Sequence, residues 1–159
     1  MAITAKIEGM SELSEMLTAL EEGAQGAAAA GLYDGAGIMA DAIESAIDGI
    51  QNAPFKYTAF GSRLPSPEEV DAIRGGVGIA KFDKNGSEVQ TSIGFANAGY
   101  ADVAGKSKPI ALIANSINSG TSFLRKQPFF RKSVSKALKR AEEAIAKTIE
   151  QRLEEKNLK

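Results

Sequence analysis

The chain has 159 residues, of which 43% are hydrophobic and 25% are charged, values typical of one soluble globular domain. It contains no cysteine and no histidine, which excludes disulfides and thiolate metal sites and removes the commonest general base. The net charge is only −1, but residues 1–52 hold nine acids and one base, whereas residues 125–140 hold seven bases and no acid. We therefore predict a non-enzymatic protein, without cofactor or metal, whose two ends meet each other, a neighbouring subunit or a polyanion.

The N-terminal residues 1–9 are predicted to form a short strand or an extended arm. They lack the basic start and apolar run of a signal peptide, and no stretch has the roughly 18–20 apolar residues of a membrane span. We expect the protein to be made in a cytoplasm and to have no membrane partner.

Residues 10–52 are predicted to form helices, because apolar residues recur there at spacings of three and four. A short helix capped by Ser11 is expected to end near Glu22, where Gly23 and Gly26 follow. A second, longer helix should then run through the alanine-rich stretch, where glycines would let a partner helix approach closely.

Residues 53–67 have no helical or strand period and are predicted to form a long loop that carries Phe55, Tyr57 and Phe60. We expect Ser66 and Pro67 to start one helical turn after it. Residues 76–95 are predicted to form a β-hairpin, with the connection at residues 83–86, because Asn85-Gly86 separates two apolar runs. Residues 96–107 are predicted to be a loop.

The apolar segment at 110–117 fits a strand and a helix equally, and it lies within a segment, 108–126, that ends in the Gly120-Thr121 turn and a basic stretch. A helical stripe then predicts a C-terminal helix over 127–156. Together these elements predict an α+β domain, in which a small antiparallel β-sheet packs against a long central helix and a long C-terminal helix.

The block IALIANSINSGTSFLRKQPFFRKSVSKALKRAEEAI, residues 110–145, resembles the head-tail joining family typified by gene product ten of phage Hong Kong 97. Members show an apolar segment, a Gly-Thr turn, a basic stretch, Pro-Phe and a long C-terminal helix. The segments KIEGMSELSEML, VGIAKF and TSIGF look like the family's opening strand and helix and its central hairpin. The sequence departs from the family at Asn118, where members commonly carry glutamate.

The resemblance implies an α+β subunit of a homo-oligomeric ring, expected to be hexameric, in the neck of a tailed bacteriophage. Such a ring would contact the portal or head-closure protein on one side and the tail terminator or tail-tube protein on the other. Genomic double-stranded DNA would pass non-specifically through its lumen. A tail terminator is an alternative role within the same virion.

The candidate interface residues for neighbouring subunits or partners are Phe55, Tyr57, Phe60, Gly120, Thr121, Pro128 and Phe129. For the aromatic residues the alternative is packing in the chain's own core, which we favour for Phe129. The candidate contacts for DNA in the lumen or for an acidic partner are Arg125, Lys126, Arg131 and Lys132. The alternative for these bases is a solvated helix face that pairs with the acidic second helix of the same or the adjacent subunit.

A rival interpretation is a small cytoplasmic DNA-binding protein that uses the basic C-terminal helix. It predicts affinity for duplex DNA that falls steeply with salt and is lost when Lys136, Lys139 and Arg140 are replaced by glutamate.

Overall fold

The structure is a computed structural model that describes residues 10–54, 63–85, 88–95 and 98–157, with the backbone alone at 10–20, 84, 85, 88 and 157. The arm or strand predicted at 1–9 lies outside this range. The fold is α+β, as the sequence predicted. Its elements are α1 (Met10–Asp48), α2 (Pro67–Ile73), β1 (Gly78–Ile79), β2 (Asp83–Asn85), β3 (Glu88–Gln90), β4 (Ile93–Gly94), β5 (Tyr100–Val103), β6 (Lys106–Pro109), α3 (Ile110–Ser119) and α4 (Phe130–Asn157).

The first 39 described residues form one continuous helix, so the predicted break at Gly23 and Gly26 is wrong. Glycine costs about 1 kcal/mol relative to alanine in a helix interior, which is why the sequence favoured a break. That cost is offset here because α1 packs along α4 and buries Gly23, Ala27 and Gly31. Tertiary packing therefore overrides local propensity.

Helices α1 and α4 run antiparallel and approach closely at glycines, of which Gly31 and Gly35 lie in the stretch where the sequence predicted a close partner helix. Gly23 lies against Lys156, Gly31 against Ile145 and Ile149, and Gly35 against Ile145. A Cβ atom added at Gly35 would lie 2.6 Å from Ile145 Cδ1, which is too close for atoms in contact. Small residues at this spacing set the distance between the two helices.

The hairpin predicted at 76–95 is present. Each of its two arms contains two short strands, and these form two antiparallel strand pairs. Strand β1 pairs with β4, Ile79 facing Ile93, and β2 pairs with β3, Asn85 facing Glu88. The expected connection at 83–86 is therefore too early, because residues 83–85 already belong to β2.

A second hairpin, β5–β6, occupies most of the segment that was predicted to be a loop. Its register places Val103 opposite Lys106, so that Ala104 and Gly105 form a two-residue turn. Both turn residues have positive φ, 52° and 74°, as in the tight turns that hairpins favour. The turn was not predicted from the sequence because alanine, which occupies position 104, rarely adopts positive φ.

The core lies where the C-terminal half of α1 meets α2, α3 and the strands. Ile43 and Ile47 of α1, Ile73 of α2 and Ile117 of α3 are fully buried. Since α3 buries Ile113, Ala114 and Ile117 at spacings of one, three and four, this segment is a helix, which settles the choice that the sequence left open.

Helix α2 begins as the sequence predicted and continues for seven residues instead of one turn. The Ser66 hydroxyl accepts a hydrogen bond from the Glu69 N–H at 3.2 Å, and the Glu69 carboxylate accepts one from the Ser66 N–H at 2.9 Å. This reciprocal capping box satisfies two N–H groups that the first helical turn would otherwise leave unpaired.

Candidate functional site

The segment between α3 and α4 is a compact turn, here called the junction (residues 120–129). Gly120 opens it with φ +77°, where a Cβ atom would lie 3.0–3.1 Å from the backbone and Cβ of Lys126. The Thr121 N–H donates to the Leu124 carbonyl at 3.0 Å, and the Thr121 hydroxyl accepts from the Leu124 N–H at the same distance. The Gly-Thr pair therefore folds the chain back and exposes Thr121 at the surface.

The junction is hydrogen-bonded to Gln51, which precedes the long loop predicted at 53–67, and to Arg63, which lies within that segment. Arg63 and Leu124 form a parallel bridge, in which the Arg125 N–H donates to the Arg63 carbonyl at 2.8 Å. The Gln127 side-chain amide donates to the Gln51 carbonyl at 2.7 Å and accepts from the Gln51 N–H at 2.9 Å. Residues on both sides of the undescribed segment 55–62 are thus joined to the junction by hydrogen bonds.

Helix α4 begins three residues later than predicted, at Phe130 instead of residue 127. The Gln127 N–H is already bonded to the Ile117 carbonyl at 2.9 Å, and its side chain is bonded to Gln51. The Phe130 N–H donates to the Asn118 side-chain carbonyl at 3.1 Å. Asn118, the position that departs from the resembled family, thus serves as a cap from outside the helix.

Phe129 is a core residue, which agrees with the alternative that the sequence favoured. Its ring is 6% exposed and packs edge-on against Phe95, with 6.2 Å between the ring centroids. The neighbouring Pro128 is half-buried. Phe129 therefore fixes the start of α4 on the sheet and leaves little of its surface for a partner.

A groove of about 810 Å³ separates the C-terminal half of α1 from the junction and the first turns of α4. Apolar side chains line part of it, among them Ile38, Ala42, Ala46 and Pro128. We call this cavity the basic groove. Five bases and one acid also line it: Arg125, Lys126, Lys132, Lys136, Arg140 and Asp41.

The bases of α4 enter the basic groove by helical spacing. Lys132, Lys136 and Arg140 lie at successive i,i+4 positions, about 6 Å apart along the helix axis. Like charges at that spacing destabilise a helix by about 0.2–0.5 kcal/mol per pair. The arrangement therefore costs the isolated helix stability, and an anion in the groove would relieve that cost.

The groove bases have no acidic partner within the described part of the chain. There, ion pairs join Arg63 to Glu69 and Arg74 to Asp48 and Asp71. All five groove bases are exposed. The pairing with α1 acids that the sequence offered as an alternative is thus absent among the described side chains of the same subunit.

An ion pair with little solvent exposure joins Arg63, within the predicted 53–67 loop, to Glu69 of α2. Arg63 donates two hydrogen bonds to the Glu69 carboxylate, at 2.8 and 3.0 Å, and the two side chains are 16% and 8% exposed. Burial alone would raise the pKa of Glu69. The hydrogen bonds from Arg63 and the Ser66 N–H, together with the nearby positive charges, lower it by more, so the pKa lies below its ordinary value. Glu69 is therefore ionised at neutral pH.

The remaining predicted site residues divide into three groups. Phe55, Tyr57 and Phe60 lie outside the described residues. Arg125, Lys126 and Lys132 meet in the basic groove, whereas Arg131 is exposed on α4 and does not line it. Lys136 and Arg140, which the rival DNA-binding interpretation names as DNA contacts, also line the groove, because they lie four and eight residues after Lys132 on the same face of α4.

No protein-family model matches the chain, and no curated protein or solved structure matches it either. Across the described residues, no helix is long and apolar enough to cross a membrane. In that same part of the chain, no group of three or more acids is arranged to hold a metal ion.

Proposed function

We propose that the protein is a non-catalytic structural component of a tailed bacteriophage neck. In this proposal, identical subunits form a ring that joins the head to the tail and lets DNA pass through its centre. Its partners are the portal or head-closure protein on one side and the tail terminator or tail tube on the other.

The observation that carries the proposal is the basic groove, which is built from the same residues that resemble the head-tail joining family. The Gly-Thr to Pro-Phe block supplies Arg125 and Lys126, and the helix after it supplies Lys132, Lys136 and Arg140. Five bases without an acidic partner in the described chain are suited to binding an anionic surface of another molecule.

The rigid construction of the junction also supports an assembly role. A binding surface keeps its shape when hydrogen bonds and packing hold its residues before the partner arrives, because less conformational entropy is then lost on binding. Gln127, Thr121 and Asn118 hold the junction in this way.

Deletion of the gene from a tailed phage that encodes it tests the proposal. We expect filled heads and free tails to accumulate as separate particles, and a plasmid copy of the gene to restore joined virions. Tails of abnormal length would assign the protein to the tail-terminator role instead. Normal yields of infectious particles without the protein would contradict any neck role.

A second candidate function, non-specific DNA binding in the cytoplasm, rests on the same exposed bases. It predicts duplex-DNA affinity that decreases steeply between roughly 50 and 200 mM salt, because phosphate contacts release counterions. The variant Lys136→Glu/Lys139→Glu/Arg140→Glu should abolish that affinity and leave virion assembly unchanged. Under the neck proposal, the same variant impairs assembly.

A further inference from the structure

The basic groove has a composition that fits a segment both apolar and acidic. Its apolar lining includes Ile38, Ala42 and Ala46 from α1, and its bases come from the junction and α4. An amphipathic helix binds such a groove by placing its apolar face inside and its charges at the rim. A DNA duplex would use the bases and leave the apolar lining unpaired.

The start of α1 has this composition. Residues 10–22 carry Met10, Leu13, Met16, Leu17 and Leu20 at helical spacing, together with four acids and no base: Glu12, Glu15, Glu21 and Glu22. The backbone of the whole stretch is helical. We call residues 10–22 the acidic arm.

The acidic arm extends beyond the helix that packs along the rest of α1. Near the end of α4, Lys156 lies against Gly23, and the described part of α4 ends one residue later at Asn157. The two helices run antiparallel, so the residues before Gly23 continue past this end by about 20 Å at 1.5 Å per residue. The described part of α4 therefore does not accompany the arm.

We propose that the acidic arm of one subunit docks in the basic groove of a second copy of this chain. This inference rests on the proposed ring, for which it names the subunit contact. Arm and groove are different surfaces at opposite ends of α1, and in the proposed ring each subunit's arm binds the groove of the next, which makes the contact head-to-tail. Head-to-tail contacts produce closed rings when their rotation closes, whereas a contact between identical patches would stop at a dimer.

Charge reversal with rescue tests the contact on the full-length protein, by sedimentation in low salt. Reversal of three groove bases, or of three arm acids, should weaken self-association by about tenfold or more. Both reversals in one chain should restore it. The groove changes are Lys132→Glu, Lys136→Glu and Arg140→Glu, and the arm changes are Glu12→Lys, Glu15→Lys and Glu22→Lys.

The matched control is Arg131→Glu/Lys139→Glu, which reverses two exposed α4 bases that do not line the groove and should leave association unchanged. Circular dichroism of each variant identifies any that fail to fold. A combined variant that folds but does not reassemble contradicts the proposal. So does loss of duplex-DNA binding with unchanged association, which would assign the groove to nucleic acid.

Disulfide trapping gives a second readout, because the chain has no native cysteine. Ser14→Cys lies in the arm, and Ser45→Cys lines the groove. Within one helix these positions are about 46 Å apart, so a disulfide can form only between chains. We expect the two single variants, mixed and oxidised, to give a dimer that Ser14→Cys with Ser135→Cys does not.

The absence of a Ser14–Ser45 cross-link, with rings still visible by electron microscopy, would overturn the arm contact and leave the neck function standing. If the cross-link forms but phage necks assemble normally without the protein, the proposed function is overturned and the arm contact stands.

Discussion

The close approach of α1 and α4 predicts that two glycines of one helix respond oppositely to the same substitution. At Gly31, an added Cβ atom would lie 2.9 Å from the Ile145 carbonyl oxygen and 3.0 Å from Ile149 Cγ1. The backbone carbonyl cannot rotate away, so the helices must separate, at a cost of about 1–3 kcal/mol. At Gly37, no heavy atom of the described residues outside the adjoining helix backbone lies within 4 Å of an added Cβ atom, and alanine should simply gain about 1 kcal/mol of helix propensity.

The difference between Gly31→Ala and Gly37→Ala isolates the packing cost, because both glycines lie in the interior of α1 and share the propensity gain. In urea titrations, we expect Gly37→Ala to be about 1–3 kcal/mol more stable than Gly31→Ala. In thermal melts the difference corresponds to roughly 2–12 °C for a chain of this size. Equal stabilisation by both substitutions would refute the helix contact described here.

Three other substitutions test the junction and the ion pair. Glu69→Gln should lose about 1.5–3 kcal/mol of unfolding free energy at pH 7. Because the folded-state pKa is below the ordinary 4.5, the stabilisation by Glu69 is complete above that value and is lost as pH falls through the lower pKa, so the denaturation curves of wild type and variant should converge in acid. A difference that persists in acid would contradict an ionised Glu69. Gly120→Ala should cost about 1–3 kcal/mol, since it places a side chain at positive φ against Lys126, and an unchanged melting temperature would count against this turn. Phe129→Ala should cost about 3–5 kcal/mol in denaturant titrations, whereas an anchor for a partner would lose assembly and keep stability.

The sequence predicted elements whose signals are local. The capped start of α2, the hairpin around Asn85 and the stripe of α4 depend on neighbouring residues, and all three are present. It missed features that depend on distant contacts. The continuity of α1 through Gly23 requires α4, and the turn at Ala104 requires pairing of the two flanking strands.

The sequence predicted the bases of the site and offered the acidic second helix only as one possible partner for them. The sequence identified the bases of the junction and α4, because residues 125–140 hold seven bases and no acid. Its opposite wall, with Asp41 and Ala42 of α1, comes from a segment more than eighty residues earlier, and only the antiparallel packing of the helices brings it there. The same packing explains why the first turns of α1 extend beyond the described part of α4.

The most direct test of the account is the mass and shape of the purified protein in solution, measured by sedimentation and electron microscopy over a range of concentrations. Assembly through a head-to-tail contact predicts closed rings with a central opening, whose mass is a multiple of the 16.7 kDa chain. A species that remains at 16.7 kDa at every concentration, alone and mixed with head and tail proteins, would contradict it.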